Sequence, residues 1–300
     1  ADDAATTAIR SMFDSVSIDG TVVIGEGEMD DAPMLYIGER VGNRNGPSVD
    51  VAVDPLEGTE VVACGLHNAQ SVIAIADKGS LLHAPDIYME KLACGPELAG
   101  KLNIEDPVEI TLQKASFHTG KSFSELTVMV LDRKRHEKLI ASLRKAGVRI
   151  QLLGHGDVAG AIAAALPDSD VDLYMGSGGA PEGVLAAAAL KCLGGEIQGK
   201  LLPDGPLEMQ RCLRMGISNP TRVLYMEDMV GTGDVIFAAT GVTSGEFLNG
   251  VRFIGKERAE THSVIMRAQS RTIRYIRSIH FLPGKEFPDG LASRPNAVSM

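Results

Sequence analysis

Val49-Asp50-Val51-Ala52-Val53-Asp54-Pro55-Leu56-Glu57-Gly58-Thr59 opens as an apolar alternation and closes as a turn. The period of two over Val49, Val51 and Val53 predicts a strand that ends on an acidic residue. Pro55 stiffens the chain at that point, and Gly58 lets backbone approach a ligand with no side chain in the way. If Gly58 and Thr59 begin a helix, their free N–H groups form a site for a phosphoryl oxygen. Asp54 and Glu57 would then hold hard divalent cations, which prefer oxygen ligands and bridge to the same phosphate. A plainer reading stands beside this one, with Asp54 as a helix cap and Glu57 as a first-turn acid stabilised by the helix dipole.

Two further acidic turns change the balance. Upstream, Ile24-Gly25-Glu26-Gly27-Glu28 sets two carboxylates among glycines directly after the strand Thr21 to Ile24. Downstream, Gly176-Ser177-Gly178-Gly179-Ala180-Pro181-Glu182-Gly183 follows a strand and opens a helix at Pro181. That loop lacks the Lys and Ser/Thr of a nucleotide P-loop, and Gly154-His155-Gly156-Asp157 has its next glycine, Gly160, one place late for a dinucleotide fingerprint. Arg133-Lys134-Arg135-His136 is the densest basic cluster and lies at a strand's carboxyl end, where open sheets collect ligand groups and Arg forks match phosphate.

Around these turns the chain reads as α/β. A first helix begins near Asp2 or Asp3, a second is expected over 32–41, and the runs 71–76 and 80–83 read as a hairpin about Asp77-Lys78-Gly79. From Glu125 strands and helices alternate: 126–131, 136–146, 148–153, 157–166, 171–175 and 181–192. The expected division is a metal- and phosphate-binding unit over 1–124, a second α/β unit with a mostly parallel sheet over 125–240, strands over 241–282 packing back on the core, and a mobile tail over 283–300.

Composition excludes several classes of function. The 300 residues are 44% hydrophobic and 23% charged, as in an ordinary globular protein, and no run approaches a membrane span. A net charge of -10 argues against broad contact with nucleic acid or an anionic membrane. Four scattered cysteines with no CxxC pair predict free thiols and a cytoplasmic, soluble protein. The chain opens without methionine or a targeting segment, so the expectation is that further residues precede Ala1.

With those residues in view, the chain resembles the class II fructose-1,6-bisphosphatases from Asp2 to about His280. The resemblance is carried by 23–28 with 32–39, by 53–59, by Ala84-Pro85-Asp86 with Tyr88-Met89-Glu90-Lys91, by 178–183 and by Ser270-Arg271-Thr272-Ile273-Arg274. The turn at 54–59 is also similar to the signature of the wider metal-dependent phosphatase superfamily that includes inositol monophosphatases. The resemblance implies a layered α/β/α/β/α sandwich of two mixed or parallel sheets. It implies Mg²⁺ or Mn²⁺ held by Asp2, Glu26, Asp54, Glu57 and Glu182, activating a water for attack on the 1-phosphate of fructose 1,6-bisphosphate.

By the same resemblance Thr59 orients or deprotonates that water together with the carboxylates of Asp54 and Glu57. Glu57 and the amides of Gly58 and Thr59 hold the reacting phosphate, while Tyr88, Arg133, Lys134, Arg135, His155, Gly156, Asp157 and Gly179 position the sugar and its other phosphate. His155 departs from the pattern, standing where an acid is more usual. A homodimer or homotetramer is expected. The other readings are sedoheptulose 1,7-bisphosphate as substrate, and a non-catalytic sugar-phosphate sensor. An inositol monophosphatase is disfavoured by the basic cluster, which suits a second phosphate.

Overall fold

The computed structural model describes residues 1–27 and 34–284. Helix α1 (Asp2–Phe13) leads into β1 (Asp19–Ile24), β2 (Arg40–Val41), β3 (Ser48–Glu57), the short helix α2 (Thr59–Cys64) and β4 (Gln70–Asp77). Then come β5 (Tyr88–Cys94), α3 (Val108–Thr119), β6 (Thr127–Leu131), α4 (Glu137–Ala146), β7 (Arg149–Leu153), α5 (Asp157–Ala163), β8 (Leu173–Gly179) and α6 (Ala180–Leu193). The chain continues through β9 (Glu196–Leu201), α7 (Gly205–Arg214), β10 (Val223–Leu224) and α8 (Met226–Val230), and closes with β11 (Val235–Gly241), β12 (Arg252–Ile254), β13 (Arg258–Arg267) and β14 (Thr272–Phe281).

Two sheets result. The larger has eight strands in the order β12-β13-β11-β4-β3-β1-β2, with β14 also paired to β13, and the smaller has six in the order β10-β9-β5-β8-β6-β7. Alternation along the strands sorts side chains between layers. Val51 and Val53 of β3 join Ile73 and Ile75 of β4 under Phe13 of α1. Ala52, Val72 and Ala74 turn the other way, toward the core that contains Val184 to Leu190 of α6. On the smaller sheet Val128 and Val130 pack with Leu112 of α3 and Leu143 of α4, while Met129 faces Ile162 of α5 and the same central core. The order is therefore helix, sheet, the α5–α6 layer, sheet, helix, the sandwich that the resemblance implies.

From Gly183 to Leu190 helix α6 is apolar all round because both of its sides are covered. Its Ala186-Ala187-Ala188-Ala189 run lets the sheets approach closely, and Val184, Leu185 and Leu190 are fully buried. Each of those three side chains contributes about 2 kcal/mol relative to exposure. Glycines follow the last turns of α4 and α6, at Gly147 and Gly194.

Several local expectations need correction. No helix runs over 34–41: Leu35 (φ 56°) and Gly38 (φ 94°) take left-handed backbone, and Arg40 and Val41 pair with β1 instead. Residues 32 and 33 of that expected helix, Glu28, and 285–300 of the expected tail lie outside the described residues. The segment 80–83 is not a strand. Leu81 is buried in the central core, and the Leu81 and Leu82 amides bond to Asp50 and to the Met229 carbonyl, so β4 pairs with β3 and β11. The smaller sheet is mixed rather than mostly parallel: β6 is parallel to β7 and β8, but β5, from before residue 125, runs antiparallel to β8 and β9. Conversely β11, from before residue 241, belongs to the larger sheet.

Candidate active site

Alternation on β3 places Asp54 on the same face as Ala52, toward the start of α6. The β3–β4 register slips between Asp54 and Glu57, where Pro55, which has no N–H to donate, occupies the irregularity. Asp54 Oδ1 accepts the Leu56 amide at 3.1 Å, tightening that bend. Gly58 at φ 90° then turns the chain into α2, so that Thr59 begins the helix. The first-turn amides of a helix have no partner within it, and here they lie directly beyond Glu57.

One cleft of about 660 Å³ collects these groups. It is lined by Asp2 of α1, Gly25, Glu26 and Gly27 after β1, Asp54 and Glu57 of β3, Gly58 and Thr59 at α2, and Pro181 and Glu182 of α6. Asp86 and Arg211 also line it. Elements packed on both sheets thus bring together all five candidate metal-binding acids and the candidate catalytic hydroxyl. Among the described residues no three acids converge closely enough to hold an ion as they stand. A second cleft, of about 800 Å³, lies at the other end of α6 and contains none of the candidate residues.

Electrostatics in the first cleft follow from burial and like charge. Burial, and then the charges of Glu57, Glu182 and Glu26, push the Asp54 carboxyl well above the usual carboxylate range. Glu57 is 6% exposed. Its Oε2 accepts Gln70 Nε2 at 2.7 Å and its Oε1 accepts the Val158 amide of α5 at 2.8 Å, yet burial still raises its pKa to about 7. Glu182 is raised by burial against an opposing pull from Lys91, and Glu26 by burial and by Asp2. A group of desolvated carboxylates that resist ionising together fits a hard divalent cation, which would neutralise them through the oxygen ligands it prefers.

The candidate sugar and phosphate contacts stand apart from that cleft's lining. Tyr88 is exposed at the start of β5, with the Arg135 guanidinium 4.7 Å above its ring. Arg135 also donates to the Ser177 carbonyl at 2.7 Å, and Arg133 donates to Nδ1 of His155 at 3.1 Å. Lys134 is exposed beside them. Gly156, at φ 97°, precedes α5. Asp157 is buried, with its two oxygens taken by Lys91 and by the Tyr174 hydroxyl. Gly179 caps α6, where a Cβ would meet the Glu182 carboxylate. His136, the fourth member of the basic cluster, is a buried structural residue: Nδ1 bonds the Leu131 carbonyl at 2.7 Å and Nε2 accepts the Ser177 amide at 2.8 Å.

Asp86, Arg211, Gln70, Lys91 and Tyr174 are site or support residues that the sequence reading did not select. Lys91 left a signal, because alternation along β5 puts it in line with Met89 and Ala93, on the face that turns to the core.

The family model described as bacterial fructose-1,6-bisphosphatase, glpX-encoded, matches residues 1–280. Fructose-1,6-bisphosphatase 1 class 2 of Escherichia coli K12 is 46% identical over 299 residues, covering 95% of this chain and 88% of that protein. The class 2 fructose-1,6-bisphosphatase of Haemophilus influenzae is 44% identical over 295 residues, covering 94% and 88%. A Synechococcus protein named D-fructose 1,6-bisphosphatase class 2/sedoheptulose 1,7-bisphosphatase is 42% identical over 318 residues, covering 98% and 91%.

Proposed function

Because this chain belongs to the glpX-encoded bacterial fructose-1,6-bisphosphatase family, we propose that the carboxylate cleft is its reaction centre and that Thr59 acts there on the attacking water. The protein is a phosphoric monoester hydrolase that converts fructose 1,6-bisphosphate to fructose 6-phosphate and phosphate. Its family is metal-dependent. The single observation that carries the assignment of the site is the meeting of Asp2, Glu26, Asp54, Glu57, Thr59 and Glu182 in one cleft from distant parts of the chain.

Asp2, Glu26, Asp54, Glu57 and Glu182 are the ligands we assign to Mg²⁺ or Mn²⁺. A bound ion of this kind lowers the pKa of water and offsets charge on a phosphoryl group. The chain's own contribution is positional. Thr59, at the first turn of α2, lines the cleft beside Asp54 and Glu57, and its hydroxyl is the group we assign to orienting the water and passing a proton toward a carboxylate. The Gly58 and Thr59 amides hold phosphoryl oxygens. Gln70 and the Val158 amide keep Glu57 pointing inward. Arg133, Lys134 and Arg135, with Tyr88 as a platform, receive the distal phosphate, and His155, Gly156, Asp157 and Gly179 shape the sugar subsite.

The deciding experiment is phosphate release by the purified chain across sugar mono- and bisphosphates with Mn²⁺ or Mg²⁺, then with EDTA. Binding of fructose 1,6-bisphosphate without turnover would make the protein a sensor and refute the catalytic assignment. The bifunctional name of the Synechococcus relative favours a second substrate, sedoheptulose 1,7-bisphosphate, and the ratio of kcat/KM for the two bisphosphates measures the preference. We place the enzyme in the cytoplasm as a homodimer or homotetramer, which light scattering on the purified protein tests. Among the described residues no helix is long and apolar enough to cross a membrane.

A further inference from the structure

Lys91 stands near the middle of β5 and is 2% exposed. Its Nζ pairs with Oδ2 of Asp157, the first residue of α5, and donates at 2.6 Å to the carbonyl of Gly179, the residue before α6. A Cβ built on Gly183 of α6 would lie 3.1 Å from Lys91 Cε and 3.6 Å from Nζ, so the ammonium lies against the first turns of that helix. Helix N-termini repel a cation, and burial strips it of water. An apolar side chain of similar volume would fit this place with neither cost, so packing alone does not account for the charge.

Two sets of hydrogen bonds, joined by the backbone between Asp157 and Val158, make a run that passes through Lys91. On the larger sheet Gln70 donates to Glu57, and Glu57 accepts the amide of Val158 in α5. Asp157, one residue earlier, takes Lys91 and Tyr174, and Lys91 continues to Gly179, three residues before Glu182. The run begins beside one proposed ligand, at the end of β3 in the larger sheet, and ends beside another, in α6 of the middle layer.

We propose that Lys91, on the smaller sheet, is a positioning residue that fixes the separation of Glu57 from Glu182, and thereby the fit of the divalent-cation site between the larger sheet and α6, without touching cation or substrate. The inference rests on the reading of the carboxylate cleft as a cation site. Partners that orient metal ligands typically change affinity by about 10- to 100-fold when removed.

The test is calorimetric titration of Mn²⁺ into the full chain, alongside thermal melting, for the parent, Lys91→Met and the double variant Lys91→Met/Asp157→Asn. Lys91→Met leaves a buried carboxylate unpaired, so it melts earlier and binds Mn²⁺ at least about tenfold more weakly. The double variant removes that charge while keeping an acceptor for Tyr174. It regains most of the lost melting temperature, and its Mn²⁺ affinity stays at least about tenfold down. Parent-like Mn²⁺ affinity in either variant overturns the proposal, since Lys91 would then only neutralise Asp157. A parent chain that binds no Mn²⁺ overturns the cation-site reading itself, and the two failures are distinguishable.

Discussion

Gly179→Ala separates the chemistry of the cleft from the stability of the fold. Gly179 has φ -66° and ψ 143°, a conformation open to any L-residue, so alanine introduces no backbone strain. Its Cβ would stand 2.0 Å from Oε2 of Glu182 and 2.7 Å from Cδ. Ordinary contact begins at 3.4 Å, so the carboxylate has to retreat by roughly 1.4 Å. The obstructed group is the free end of a side chain, and the fold can yield there. Restricting the unfolded chain even contributes about 0.4–1 kcal/mol in favour of the variant. Catalysis has no such latitude, because a misplacement of about 1 Å at a reaction centre costs on the order of a hundredfold.

The expected result is kcat/KM down about a hundredfold and half-saturation by Mn²⁺ shifted upward, with a melting temperature equal to or slightly above the parent's. Phosphate release across a Mn²⁺ series, together with thermal melting, reads all three quantities. Activity within about threefold of the parent at an unaltered Mn²⁺ dependence would refute the placing of Glu182 among the metal ligands. Gly178→Ala is the contrast. Its Cβ would lie 1.9 Å from Oδ2 of Asp157, a carboxylate pinned by Lys91 and Tyr174, so that variant should lose stability as well as activity.

The same geometry carries three further expected outcomes. Thr59→Ala should lower kcat by about a hundredfold or more with KM and Mn²⁺ affinity nearly unchanged, and Thr59→Ser should keep activity; a raised KM at unchanged kcat would make Thr59 a binding contact only. In metal-free protein, burial holds the proton on Glu57 up to about 7, and Asp54 and Glu182 are raised as well. Between the ordinary carboxylate pKa and about 7 the unfolded chain therefore binds fewer protons, and stability falls as pH rises through that window. The EDTA-treated protein should melt higher at about pH 5.5 than at about pH 7.5, and saturating Mn²⁺ should give its larger stabilisation at the higher pH; a melting temperature that rises with pH without metal would contradict the burial of these acids. Arg135→Gln should raise KM for fructose 1,6-bisphosphate about tenfold with little change in kcat, as expected for loss of a charge-assisted contact; a fall in kcat at constant KM would place Arg135 at the reacting phosphate instead.

What the sequence made legible was local. The alternation at Val49, Val51 and Val53 located β3, although the strand runs past its expected end at Asp54 to Glu57, and Pro181 with Gly194 bracketed α6 closely. The carboxylates of the cleft were visible as types and spacings, although their meeting depends on pairings between distant segments. Over 34–41, the described part of the helix expected at 32–41, no helix forms because apolar spacing there competes with left-handed backbone at Leu35 and Gly38. The hairpin about Asp77-Lys78-Gly79 failed because Leu81 serves the core, not a strand. Neither the placing of β5 between β8 and β9 nor the return of β11 to β4 leaves a local trace, since strand order is decided by which faces need covering. Burial of Asp157 was equally unreadable: its partners Lys91 and Tyr174 lie 66 and 17 residues away.

Strands β4 and β11 are neighbours in the larger sheet, yet the whole six-stranded sheet lies between them in the chain. As the polypeptide leaves the ribosome, β1 to β4 can pair with one another and the smaller sheet can assemble, but the second edge of β4 stays open until β11 is synthesised. Closing so long a loop delays the larger sheet, and until β11 arrives the flank of α6 that β4 and β11 will cover faces water. Asp54 and Glu57 are translated early but meet Glu182 only at that late docking, so catalytic competence should appear in step with completion of the carboxyl-terminal strands. The half-made chain, with an alanine-rich flank exposed, is the species that chaperones would have to shield.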